Sequence, residues 1–336
     1  MAVKTQEPLP APARYYPLEK GLYEVAPGLR TFGSDFGNGN LDNKVFQFDS
    51  SFEVFRESKL ACRAERLSKY YCEANYTQTI ASHVSQTLIE LLVKESPEHF
   101  AYEQLADGRS RLVCRLTSEI LFFDADLNLS AVESQNGAVL PPYQSTFDAL
   151  AMQVQEDLNI MAIDETGEDR LCAMHLCSPS SWRAEEKIGK NFVAVHSPVA
   201  DNGPLLRVAR GIVNAMVHKG PYVRFVWGLT TNPQPNHHPD PPPGVDREIW
   251  RGKPLTSIAQ GTKAYMWVER QVVWGIPTAN ASLFTIRASF ISLDAIRGNE
   301  RERELFKSTM QSMSEAVRDY KGIAEAFDSV MTWLEC

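Results

Sequence analysis

The segment KNFVAVHSPVADNG, Lys190–Gly203, sets His196 at the join between an apolar run and a stretch that opens a helix. An imidazole at such a join has three uses: a satisfied core residue, a pH-sensitive contact, or a ligand aimed into a pocket. A second group of chemistry-bearing side chains lies on strand-like runs. In YVRFVWGLTT, Arg224 and Val226 share one face, and Phe225 and Trp227 share the other. In AYMWVERQVVWGI, Trp267, Glu269 and Gln271 share a face, as do Val268, Arg270 and Val272. Charges inside otherwise apolar strands are costly to bury unless paired. They form either a ladder of cross-strand ion pairs, each worth roughly 0.2–1 kcal/mol, or the polar lining of a pocket. We adopt the pocket as the working reading.

The other histidines have plainer uses. His218 ends a helical pattern, where a cation is favoured by the helix dipole. His175 shares a strand face with Cys177, a core pattern. His237 and His238 fall in the Pro-rich loop NPQPNHHPDPPPG and are expected to be solvated, although a His pair could take up a metal. His83 and His99 belong to the N-terminal helical part. The six cysteines show no CxxC or other close metal spacing, so reduced thiols are expected and no iron–sulfur cluster. No GxGxxG follows a strand, so no flavin or nicotinamide fingerprint is present.

These side chains need a scaffold. Of 336 residues, 43% are hydrophobic and 23% charged, enough apolar material for a sizeable core without staples. The net charge of −8 argues against a nucleic-acid or anionic-membrane binder. No apolar run is long enough to span a membrane, and the first ten residues lack a secretory core, so a cytoplasmic protein is expected.

Residues 1–45, rich in Pro and Gly, read as an extended surface arm. A helical pattern runs from about Ser58 to Lys94, then SRLVCRL and EILFFDADL read as a strand pair. STFDALAMQVQEDLNIM reads as an amphipathic helix with Ser145 as N-cap and Asp148 as its capping-box partner. RLCAMHLCS reads as a strand and SWRAEEKIGK as a polar helix or turn. GPLLRVARGIVNAMVHKG reads as a helix with Leu205, Val208, Ile212 and Met216 along one side. Three antiparallel strands follow, the last two joined through PTAN, and the tail from Asp294 is mostly helix. This order predicts an α+β domain. A flat cofactor between helix and sheet could cover part of the exposed sheet face, with His196 at the rim of that slot.

Five short motifs in one order make the reading more specific. QEDL (Gln155–Leu158), W…EKIGK (Trp182–Lys190), VHSPV (Val195–Val199), RFVW (Arg224–Trp227) and VERQ…P…LFTIR (Val268–Arg287) resemble the family of the haem-dependent oxidative N-demethylase catalytic subunit, a PAS-type haem protein. The resemblance runs from about Phe46 to Leu293. It implies a PAS-like antiparallel sheet with haem-pocket helices in residues 46–293, between the arm of residues 1–45 and a C-terminal helical extension of residues 294–336. It implies a haem b held by His196, with Lys187, Lys190 and Arg270 available to its propionates. O2 and a small secondary amine would meet at the opposite face, among Phe225, Val226, Trp227 and Gln271. Arg224 would stabilise bound O2, and Glu269 would hold the amine and take its proton. The products would be a smaller amine and formaldehyde, with electrons from a separate NAD(P)H-dependent reductase. The runner-up is a haem PAS gas or redox sensor, or a binding protein, without turnover. The chain departs from the family pattern at Val226, where Asn is usual, at Trp274–Gly275, which replace a basic pair, and at Ala200, which replaces a proline. The fold therefore transfers better than the substrate.

Overall fold

The computed structural model describes residues 8–335; the first seven residues of the expected arm and Cys336 of the C-terminal extension lie outside the described residues. Its centre is the β-hairpin foreseen around PTAN. The strands Tyr265–Ile276 and Ala281–Ser292 pair along twelve residues, from Tyr265↔Ser292 to Ile276↔Ala281. Pro277–Ala279 form a single 3-10 turn, and Asn280 closes it at φ +52°, the left-handed region that Asn tolerates.

Around this hairpin a seven-stranded antiparallel sheet is built. In chain order its strands are β1 (Arg30–Thr31), β2 (Tyr71–Glu73), β7 (Asp157–Ile163), β8 (Asp169–His175), β9 (Tyr222–Thr230), β10 (Tyr265–Ile276) and β11 (Ala281–Ser292), arranged β1-β9-β10-β11-β7-β8-β2. A second sheet, β3 (Phe100–Gln104) to β6 (Leu129–Ser134), is a four-stranded meander. It contains the expected pair as β4 (Ser110–Cys114) and β5 (Glu119–Phe123). The helices α1 (Phe52–Arg66), α2 (Gln78–Glu95) and α3 (Thr146–Ala151) join the two sheets through a common core. The short α4 (Phe192–His196), α5 (Gly203–Arg207) and α6 (Ala209–His218) cover one face of the large sheet. After α7 (Arg247–Arg251), the tail folds as α8 (Leu293–Gly298), α9 (Glu300–Gln311), α10 (Glu315–Tyr320) and α11 (Phe327–Glu335), which pack on the other face. The chain is α+β, as its element order predicts.

Three local expectations are corrected. The helix expected over STFDALAMQVQEDLNIM stops at Ala151, and its second half becomes β7. Ser145 does cap α3, accepting from the Asp148 N–H at 3.1 Å, but the Asp148 carboxylate turns to Gln144 N and to Arg63 instead of completing the box. The cause of the early stop is Lys59, a fully buried side chain of α1. Its ammonium donates to the carbonyls of Ala151, Val154 and Glu156 at 2.8, 2.9 and 2.6 Å. Carbonyls that continuing helical turns would have occupied are satisfied from outside. The helical pattern from Ser58 to Lys94 is likewise two helices, with β2 between them. The long helix of residues 203–220 breaks at Val208, which is 51% exposed while Leu205, Ile212 and Met216 are buried.

The N-terminal arm is more than a surface strap. Tyr15 is buried, donates to Asp42 and accepts from Gln47, and Arg14 forms a two-pronged ion pair with Glu302 of α9.

Gly275 on β10 sets how closely α6 approaches the sheet. A Cβ there would lie 2.4 Å from the Val217 carbonyl oxygen, a backbone atom that cannot step aside. Gly275→Ala is expected to destabilise the fold by about 1–3 kcal/mol, the usual cost of forcing atoms into a packed core. A chemical denaturation midpoint equal to that of the parent protein would contradict this. Because Met216 and Ile212 of α6 border the cavity described next, the glycine also fixes one of its walls.

Candidate functional site

Between the α4–α6 face of the large sheet and the loops that fold over it lies a cavity of about 1180 Å³. Pockets for single small ligands span roughly 300–1,000 Å³, so there is room for a large cofactor and a small substrate together. The sheet face that floors it follows from register. Gln271 stands opposite Arg224, and Glu269 opposite Val226, across β9 and β10. Directly opposed residues point to the same side. Arg224, Val226, Glu269 and Gln271 therefore converge on the cavity and all border it.

The two charges of this group are poorly satisfied. Glu269 is 4% exposed; its Oε2 accepts from Gln271 Nε2 at 2.6 Å, while Oε1 has no partner. Burial pushes its carboxyl up to about 7, against the opposing pull of the Gln271 hydrogen bond, the nearby Ser180 side chain and the Arg224 charge. Arg224 is half-buried, and burial lowers its pKa, with Glu269 opposing. Among the described residues its guanidinium has no hydrogen-bond or ion-pair partner, and its buried Nε is unpartnered. The two groups feel each other without forming an ion pair.

His196 closes α4 on the opposite side. Asn191 caps this helix, its side chain accepting from Ala194 N at 2.8 Å. One turn later, His196 Nδ1 lies 2.8 Å from the Phe192 carbonyl, and its ring stacks on Phe192 at 4.1 Å. A carbonyl only accepts, so Nδ1 carries the proton. Nε2 has no hydrogen-bond partner among the described residues, and the residue borders the cavity. Burial lowers the imidazole pKa, reinforced by the charges of Arg224 and Lys187, so the ring is neutral at pH 7.

The family model described as haem-dependent oxidative N-demethylase, alpha subunit-like, matches residues 38–331. The chain belongs to this family. Where a histidine holds haem iron, its ring is neutral and its second nitrogen is held by an acceptor, which fixes tautomer and ring orientation. His196 meets that need, and the cavity beside it has the volume. Among the described residues, no three or more His, Cys, Asp or Glu side chains come together as a metal cage. The residues present fit a haem gripped by one side chain.

Other residues expected to act with this haem-dependent family's cofactor are placed less uniformly. Lys187 borders the cavity, but its ammonium donates to the Val195 carbonyl at 2.6 Å, tying the loop before α4 to its end. Lys190 is exposed and away from the cavity. Arg270 lies on the opposite face of β10, buried, donating to the Lys44 carbonyl at 2.8 Å and lying over the rings of Tyr15 and Phe32. Alternation along the strand puts it there, since its neighbours Glu269 and Gln271 face the cavity. Phe225 and Trp227 are turned away for the same reason. Phe225 packs on Tyr15 and Phe36, and Trp227 on Tyr23 and Phe306. They touch the cavity only along the edge of β9, and the wall beside Glu269 is Trp267 instead.

Several cavity residues escaped the sequence reading. His237 and His238 are not solvated. Ser180 and His237 form a parallel β-bridge, and the His237 ring lies parallel to Trp267 at 6.5 Å. Burial drives its pKa down to about 4. Asn159 Oδ1, from β7, is buried without a partner at the cavity floor. Tyr23 of the arm and Lys321, just past α10, close the far side. Lys321 donates to the Trp227 carbonyl at 2.6 Å, satisfying the edge of β9 that β1 leaves open, and burial lowers its pKa to about 8. Only the apolar and Pro-rich patterns were local; these meetings are long-range and leave no periodic signal. Among the described residues, no helix is long and apolar enough to cross a membrane.

Proposed function

We propose that the chain is a PAS-like, haem b-binding oxygenase that removes a methyl group from a small secondary amine. The observation that carries this reading is His196: one ring nitrogen fixed by a carbonyl, the other free on a large cavity that also holds an unpaired carboxyl and guanidinium. Haem, when bound, would supply the oxidising chemistry: with one O2, two electrons from a separate NAD(P)H-dependent reductase and two protons, the methyl carbon leaves as formaldehyde, the C–N bond breaks, and the smaller amine and water remain.

The protein's own groups do the rest. His196 Nε2 would hold the cofactor, with Phe192 fixing the ring plane. Glu269 Oε1 would receive the ammonium of the substrate and accept its proton, because a carboxyl with a pKa of about 7 exchanges protons readily at neutral pH. Arg224 provides fixed positive charge in an enclosed site, where it acts strongly on any negative charge beside it. Trp267 and Val226 keep water from the Glu269 carboxyl.

The test is direct. Purified protein mixed with haemin should gain a Soret band at a one-to-one ratio, and a reductant with O2 should then release formaldehyde from methylated amines. Absence of the band after reconstitution would end the proposal. A band without formaldehyde from any amine tried would favour a haem sensor, since the same cofactor site would then serve without turnover.

A further inference from the structure

The cavity holds a half-buried guanidinium, Arg224, and a buried carboxyl, Glu269, neither of them in an ion pair among the described residues. Lys187 and Lys321 also border it, yet both spend their ammonium groups on backbone carbonyls. Arg224 donates to nothing among the described residues. The acids at the rim, such as Glu302 and Glu186, are bound by Arg14 and Arg183. Glu269 has no cation paired with it, only the neutral side chains of Gln271 and Ser180. Its directly opposed neighbour Val226 offers no hydrogen bond to either charge. Arg224 and Glu269 are diagonal neighbours across β9 and β10, a spacing of roughly 7–8 Å between backbones. That is close enough for one small molecule to touch both side chains.

Leaving a buried carboxyl beside a half-buried guanidinium with no ion pair between them costs folding energy that pairing or two apolar residues would save. A ligand carrying both charges removes that cost. We propose that the substrate is a zwitterion: a methylated amino acid whose ammonium meets Glu269 and whose carboxylate is held by the Arg224 guanidinium. This rests on the reading of the cavity as the substrate site and narrows its substrate class from simple amines to amines that carry a carboxylate. The guanidinium fork matches a carboxylate in two parallel hydrogen bonds, and only a fixed, otherwise idle fork can do so without first breaking another contact. A haem propionate is the competing partner for Arg224. It would bring a second carboxylate beside Glu269, a like-charge contact that the zwitterion replaces with an attractive one.

Calorimetric titration of the haem-reconstituted protein with N-methylglycine, dimethylamine and acetate decides the matter. N-methylglycine is expected to bind at least about tenfold tighter than dimethylamine, from the added charge-assisted hydrogen bonds. Arg224→Gln is expected to abolish that preference, and Glu269→Gln to weaken both amines while sparing acetate. Equal affinity for the two amines, or a preference that survives Arg224→Gln, overturns the proposal. So does loss of haem from Arg224→Gln with the preference intact, which would assign the arginine to a propionate. The Soret band is read on the same samples. If the parent protein takes up no haem, the cofactor reading fails, while the zwitterion preference is still scored by calorimetry on the protein alone.

Discussion

Alanine at position 196 is expected to leave the protein folded and to cost it haem. His196 is only half-buried at the end of a five-residue helix. Truncation removes one hydrogen bond to Phe192 and one ring stack, each worth about 1 kcal/mol, and opens no hole in the core. The consequence for the cofactor is far larger. Mutating even a group that merely orients a metal ligand lowers metal affinity about 10–100-fold, so deleting the ligand proposed above should exceed that range. The measurement is Soret absorbance per protein after desalting, alongside a melting curve. A glycine at the same position adds a sharper readout, since free imidazole should then enter and restore the band. Retention of haem by His196→Ala with an unaltered spectrum would move the ligand elsewhere, His237 being the next imidazole bordering the cavity. Acid gives a second signature. Because the pKa of His196 is lowered from the ordinary 6.5, protonation competes with ligation only in acid, and haem should stay bound at neutral pH.

Much of this site is present in the sequence as alternation. The period of two along β9 and β10 separates Arg224 and Val226 from Phe225 and Trp227, and Glu269 and Gln271 from Arg270. Once Arg224 and Glu269 are assigned to a pocket, the same period places Phe225, Trp227 and Arg270 on the far side. A single pocket cannot draw on both faces of one strand, because successive side chains point to opposite sides. The long β10–β11 hairpin was legible for a similar reason, because a breaker sits between two apolar runs. What local pattern did not carry is contact at a distance. Lys59 reaches from α1, more than ninety positions away along the chain, to end α3 and release β7. The Pro-rich loop looks solvated until its bridge to Ser180 pins His237 over Trp267. Tyr23 and Lys321 come from opposite ends of the described chain to meet at one carbonyl edge.

Glu269→Gln is expected to act in opposite directions on stability and on turnover. The carboxyl sits at about 7 in the folded protein against an ordinary 4.5. A group whose folded value is raised favours folding in its protonated form, so its contribution is complete below about pH 4.5 and is lost as the pH rises through about 7. Glutamine reproduces the neutral form at every pH. The ligand-free variant should therefore match the parent near pH 4.5 and exceed it at pH 8 by about 3 kcal/mol, the free-energy equivalent of the shift. Urea midpoints across that pH range measure the gap, and a gap independent of pH would mean that the carboxyl is not held neutral by its surroundings. Catalysis should move the other way. Glutamine can neither attract an ammonium by charge nor take its proton, and a positioned acid–base group is worth about 10²–10⁴ in rate. With haem content and Soret position unchanged, because His196 lies on the opposite side of the cavity, formaldehyde release should fall by that factor. Gained stability at alkaline pH together with lost turnover identifies a carboxyl kept in place for chemistry, since packing alone would favour the glutamine.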